Sequence, residues 1–138
     1  MAMYDPEMVQ PMRDEVTSLG VQELRSADEV QKALSKPGTA MIFVNSVCGC
    51  AAGGARPALR MSLLNEKKPD NMYTVFAGME AEATAKAREF FAPYRPSSPQ
   101  IGLLKDGKLV KIFQRQDIEG RDPSVIAQDL VQAFNEMC

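Results

Sequence analysis

Histidine and tryptophan are absent from this chain, and cysteine occurs only three times. Without histidine there is no imidazole general base, no Ser-His or Cys-His triad, and none of the commonest metal ligand. Thiol–disulfide exchange survives that loss, because its attacking group needs only access and a lowered pKa. No apolar stretch approaches the roughly 18 residues of a membrane-spanning helix. The segment Met1-Ala2-Met3-Tyr4-Asp5-Pro6-Glu7 lacks the charged n-region and apolar h-region of a leader. Sixteen basic against eighteen acidic residues give a net charge of −2 with no basic block, so neither nucleic acid nor an anionic membrane is an expected partner. The expected setting is cytoplasmic. There, three cysteines argue for catalysis, sensing or metal binding and against a structural disulfide framework. The 138 residues suffice for one domain, 1–138, whose core needs no disulfide staples.

What is present concentrates in Val44-Asn45-Ser46-Val47-Cys48-Gly49-Cys50. The preceding run, Thr39-Ala40-Met41-Ile42-Phe43-Val44, is continuously apolar after Lys36-Pro37-Gly38, the pattern of a strand buried on both faces. Beyond the cysteines, Leu59, Leu63 and Leu64 recur at helical spacing until Asn65 and Pro69 end the pattern. The two thiols therefore fall between a strand and a helix. A helix N-terminus presents unpaired N–H groups and the positive end of the peptide dipole, so a thiol with an ordinary pKa of about 8.5 should be acidified there. Gly49 lets the backbone take whatever φ a very short disulfide ring requires. A ring that tight is expected to be strained and easily reduced, which suits exchange better than bracing.

The rest of the chain supplies an alternation. Met8, Val9, Met12, Val16 and Leu19 mark one face of a helix ended by Gly20, here assigned to packing. Val21 to Leu24 reads as a short strand, and Ser26-Ala27-Asp28-Glu29 as a capping box opening a second helix. Met72 to Phe76 reads as a strand and Glu80 to Phe91 as an alanine-rich helix. Such order implies a mainly parallel sheet with its site at the carboxyl ends of the strands, where Cys48 falls. The last third changes rhythm. Gln100–Leu104 and Leu109–Phe113 flank Asp106-Gly107, a hairpin signal, and Pro123 to Glu136 forms a closing helix with Asp122 as N-cap and Val125, Ile126, Leu130, Val131 and Phe134 as its apolar face.

A βαβ unit carrying a dithiol, then a helix, a β-hairpin and a closing helix resembles the thioredoxin fold. The stretch Asn45 to Pro57, together with the leading helix and the Ser97-Ser98-Pro99-Gln100 loop, is similar to the bacilliredoxin family, whose motif is Cys-Gly-Cys. The resemblance implies an α/β thioredoxin-like fold: a central mixed sheet flanked by helices, with an N-terminal helical extension (1–20) and a C-terminal ββα unit. It implies a thiol–disulfide oxidoreductase that reduces mixed disulfides between client proteins and the small thiol bacillithiol, with some isomerase activity. Bacillithiol is then a co-substrate, and no bound cofactor is expected. Carried over by position, Cys48 is the nucleophile and Cys50 the resolving thiol, while Pro99 takes the place of a cis-proline facing them.

Other residues leave alternatives open. As an alternative, Pro93, Pro96 and Pro99 with two serines could form only a stiff loop. Arg56 or Arg95 could pair with bacillithiol carboxylates, or simply be solvated. Gly53 and Gly54 fit either close approach by substrate or a neighbouring strand, or fraying. Pro57 should kink its helix. Cys138 could be a second resolving thiol, an intermolecular bridge or a frayed end. Two other functions compete: Cu or Zn held by the CxC pair, poorly served because zinc wants four ligands, and oxidant sensing without turnover.

Overall fold

The computed structural model describes residues 3–138; Met1 and Ala2, part of the segment read for a leader, lie outside them. In chain order the elements are α1 (Pro6–Thr17), β1 (Gln22–Glu23), α2 (Ala27–Leu34), β2 (Thr39–Asn45), a π-helical turn (Ala51–Ala55), α3 (Arg56–Ser62), β3 (Asn71–Phe76), α4 (Ala81–Glu89), β4 (Gln100–Lys105), β5 (Lys108–Phe113), α5 (Arg115–Ile118) and α6 (Pro123–Met137). The five strands form one mixed sheet in the order β1-β3-β2-β4-β5. β1, β3 and β2 run parallel, and β4 and β5 run antiparallel to their neighbours. No helix among the described residues is long and apolar enough to cross a membrane.

β2 is central and buried along its whole length, as its unbroken apolar run requires. Its side chains alternate between two cores. Met41 and Phe43 pack with Leu59 of α3 and Ile126, Leu130 and Phe134 of α6. Ile42 and Val44 pack on the opposite face with Val30 and Leu34 of α2 and Ala83 and Ala87 of α4. Full burial of one such side chain stabilises by about 1.5–3 kcal/mol, so this strand anchors both layers. The capping box at Ser26 and Glu29 is formed, and Asp106 and Gly107 take positive φ in the two-residue hairpin turn.

Two helix faces differ from their sequence patterns. In α1 the inward positions are Val9, Arg13 and Val16, whereas Met8 is exposed. Arg13 takes the inward slot because carboxylates meet it there: its guanidinium donates to Glu23 at 2.6 Å and to both oxygens of Glu80 at 2.8 Å, and it lies over the Phe76 ring. Those partners, Glu80 foremost, hold it charged despite burial. In α6, Val125 is exposed and the buried face is Ile126, Ala127, Leu130, Ala133 and Phe134.

Candidate active site

β2 ends at Asn45, and Ser46 to Cys50 leave the sheet at its carboxyl edge. Helical backbone begins at Gly49. Cys48 stands at the N-cap: its carbonyl accepts from Ala51 N–H (3.0 Å) and Ala52 N–H (3.1 Å), and its Sγ accepts from Cys50 N–H (3.4 Å). Cys48 N–H donates in turn to Ser46 Oγ at 3.3 Å. Cys48 and Cys50 form a disulfide with Cα atoms 5.4 Å apart. Both cysteines are half-buried and Gly49 is exposed, so the sulfur pair is open to a partner.

Gly49 does not use the conformational freedom expected of it, because its φ lies outside the left-handed region. Ordinary helical dihedrals already bring the two sulfurs together. An added Cβ at Gly49 would meet open space.

The helix that follows departs from a plain kinked α-helix. Arg56 N–H donates to Ala51 O, five residues back, and α3 begins only there, with Pro57 in its first turn. Pro57 has no N–H for a four-residue-back bond, and the Ala-Ala-Gly-Gly-Ala segment offers little side-chain resistance to a wider turn. Gly54 is buried, with Ile118 and Ile126 side-chain atoms 3.4 and 3.5 Å from where a Cβ would stand, so its close neighbours are α5 and α6 and not a strand. Gly53 faces open space.

Pro99 is buried, and the Ser98–Pro99 peptide bond is cis. The pairing of Val44 with Gln100 sets Pro99 beside Asn45, at the sheet edge from which Cys48 emerges. A second cis bond, Ala92–Pro93, carried no distinguishing sequence signal.

Arg56 is neither solvated nor presented to a ligand. It is buried, and donates to Glu15 (2.8 Å), Asn45 Oδ1 (3.0 Å) and the Ser46 carbonyl (2.9 Å). Asn45 also accepts from Ser46 N–H (2.9 Å) and donates to the Met12 carbonyl (3.1 Å), which ties α1 to the cysteine loop. Sequence reasoning assigned nothing to Asn45 or Glu15. The available signal was an amide ending an apolar strand just before the thiols. Arg95, by contrast, is exposed. Cys138 lies by Thr39, Asp70, Lys67 and Lys105. Thr39 begins β2 and Asn45 ends it, roughly 20 Å of strand apart at about 3.3 Å per residue, so Cys138 is no second resolving thiol for this site.

This sheet, with two cysteines at the carboxyl end of its central strand and a cis-proline alongside, defines the class: a thioredoxin-like thiol–disulfide oxidoreductase. Solved structures agree on the fold. Oxidised thioredoxin from Plasmodium falciparum is similar at TM-score 0.60 and 17% identity over 83% of this chain and 98% of that one. Fasciola hepatica thioredoxin is similar at TM-score 0.57 and 17% identity over 86% of this chain and 100% of that one. The family model described as "Disulphide isomerase" matches residues 4–138. A bacilliredoxin from Cytophaga hutchinsonii is 48% identical over 98% of this chain and 100% of its own length. One from Geobacillus kaustophilus is 47% identical over 96% and 91%. The chain belongs to the bacilliredoxin family.

Proposed function

We propose that the chain acts as a single cytoplasmic domain that reduces mixed disulfides between client-protein cysteines and bacillithiol, with Cys48 attacking and Cys50 resolving. The observation that carries the assignment is the Cys50 N–H directed at Cys48 Sγ from 3.4 Å at the start of a helix. A hydrogen bond and a dipole that favour a thiolate lower its pKa, and Cys48 has this environment while remaining open to solvent.

The Cys48 thiolate attacks the bacillithiol sulfur. The bond to the client breaks, and the client leaves as a thiolate that takes up a proton. The Cys50 thiolate then attacks Cys48 Sγ, expels bacillithiol and leaves the Cys48–Cys50 disulfide holding the two-electron oxidation. Two further thiols restore the dithiol by successive exchange and depart as their own disulfide. A free bacillithiol can also resolve the Cys48 adduct directly, leaving Cys50 unused.

A closed zinc site is not assembled here: zinc takes four ligands, and among the described residues no group of three or more His, Cys, Asp or Glu side chains gathers. Mass spectrometry of the reduced protein after mixing with a bacillithiolated client tests the reading. A bacillithiol adduct on Cys48, followed by loss of bacillithiol to give a species two hydrogen atoms lighter than the reduced protein as the disulfide closes, is expected. No adduct and no release of client thiol would overturn it.

A further inference from the structure

A groove of about 580 Å³ opens between the loop Arg95–Ser97 and the segment Gln114–Glu119. Both walls belong to the cysteine end of the molecule. Ser97 lies two residues before Pro99, and the pairings Val44–Gln100 and Ile101–Phe113 bring Gln100 and Gln114 into line with Val44, one residue before Asn45 at the end of β2. On the other wall, Ile118, next to the lining residue Glu119, packs on Gly54, four residues or about 6 Å of helix beyond Cys50.

The groove is built of fixed polar groups. Gln100 and Gln114 both donate to the Arg95 carbonyl (3.3 and 3.2 Å), and Ser97 Oγ donates to Gln114 Oε1 at 2.7 Å. Arg88, half-buried, donates to the Ser97 carbonyl at 2.9 Å and to Gln100 Oε1 at 3.2 Å. The Arg95 backbone is thus pinned while its guanidinium has no ion-pair or hydrogen-bond partner among the described residues.

Arg13, Arg25, Arg56, Arg115 and Arg121 each hold a carboxylate, whereas Arg60 on α3 and Arg88 and Arg95, which lead into the Pro99 loop, hold none among the described residues; of these three only Arg95 lines the groove. Burial disfavours charge on Arg88, and a nearby anion would relieve that.

Building on the function proposed above, we infer that this groove holds the small-thiol half of the mixed disulfide and selects thiols bearing carboxylates, with Arg95 as the carboxylate-binding residue. The volume suits a small molecule. A guanidinium pairs with a carboxylate through two parallel hydrogen bonds, and the Gln114 amide and Ser97 hydroxyl offer partners for hydroxyl groups. Arg115, paired with Glu119, makes the far wall electrically neutral, so Arg95 carries the selectivity.

One client cysteine blocked with mercaptosuccinate, with 2-mercaptoethanol or with bacillithiol provides the test. Using the same client cancels any contribution from its own acidic residues. For the wild type, kcat/KM for the mercaptosuccinate disulfide should exceed that for the mercaptoethanol disulfide by roughly tenfold, chiefly through KM, as befits a charged hydrogen-bonded pair. Raising the salt concentration should shrink the ratio. R95A should bring it near one, and R95K should restore part of it. An unchanged ratio in R95A overturns the inference while leaving bacillithiol reduction standing if the bacillithiolated client is still turned over. An Arg95-dependent ratio without turnover of the bacillithiolated client supports the groove and overturns bacillithiol as the substrate. Turnover of none of the three overturns both.

Discussion

Arg56 Nη1 donates to Asn45 Oδ1 at 3.0 Å, and through that one oxygen a buried cation on α3 holds the residue that ends β2 three positions before Cys48. The same guanidinium holds the Ser46 carbonyl, and Ser46 Oγ accepts from Cys48 N–H. Arg56→Ala strips the Ser46 carbonyl of this donor and opens a buried gap. The expected loss is about 2 kcal/mol of unfolding free energy, measured by urea denaturation. Glu15→Ala removes the half-exposed partner and should cost less than about 1 kcal/mol. If Arg56→Ala instead kept full stability and raised KM for the mixed disulfide, the guanidinium would have to face the ligand after all.

Single cysteine variants separate attack from resolution. Cys48→Ala removes the sulfur that receives the Cys50 N–H, and turnover of a mixed disulfide should fall to background. Cys50→Ala keeps the attacking sulfur and its N–H donor but loses the internal resolver, so the Cys48 adduct should accumulate and clear only as fast as free thiol is supplied. Intact-mass spectra during turnover read both outcomes. Full activity in both variants would rule the scheme out.

Sequence pattern carried the succession of strands and helices along the chain, the hairpin and the place of the thiols, because these follow from local signals: an apolar run, an Asp-Gly turn and a capping box each declare themselves within a few residues. On α1 and the turn after it, where Val9, Met12, Val16 and Leu19 do pack inward, Arg13 escapes the pattern for the opposite reason. Arg13 is buried only because Glu23 and Glu80 arrive from elsewhere in the chain, and a charged residue in an apolar stripe looks like a break in it. Asn45 and Arg56 were hidden likewise, since their partnership spans eleven residues and needs the π-turn to close. That turn was invisible in a stretch of alanine and glycine.

Gly102 is fixed by a packing contact. A Cβ built there would stand 2.3 Å from Cε1 of Phe91, a fully buried ring with little room to retreat. Gly102→Ala should therefore destabilise by about 1–3 kcal/mol through overpacking. Phe91→Leu in the same chain should recover part of that loss, so that the double variant is more stable than the sum of the singles predicts. Additive losses in denaturation experiments would show that the ring moves freely.

Asp122 caps α6, accepting from Ser124 Oγ at 2.6 Å and Ser124 N–H at 2.9 Å, and these bonds, the hydroxyl's first, hold its carboxyl below the usual range. A pKa lower in the folded state stabilises above the ordinary aspartate value of about 3.9, and that contribution is lost as pH falls through the folded value. Asp122→Asn keeps a good cap but cannot titrate. The gap in urea midpoint between wild type and this variant should therefore narrow or reverse on moving from neutral pH to about pH 3, below that ordinary value. Parallel pH curves would contradict the assignment.

Cys138 is the control for the reactive pair. Cys138 is exposed, yet partial desolvation, its leading influence, pushes its thiol above the ordinary range, and it sits at the Thr39 end of β2, away from the Asn45 end where Cys48 emerges. A thiol reacts through its thiolate, so at pH ~7 limiting iodoacetamide should label Cys48 of the reduced protein well before Cys138. The pH dependence of the Cys48 rate should give a midpoint below the ordinary cysteine value of about 8.5. Cys138→Ser should leave turnover and closure of the Cys48–Cys50 disulfide at wild-type rates. Labelling of Cys138 first, or loss of turnover in that variant, would mean that the helix start does not acidify Cys48 or that the C-terminus reaches across the sheet.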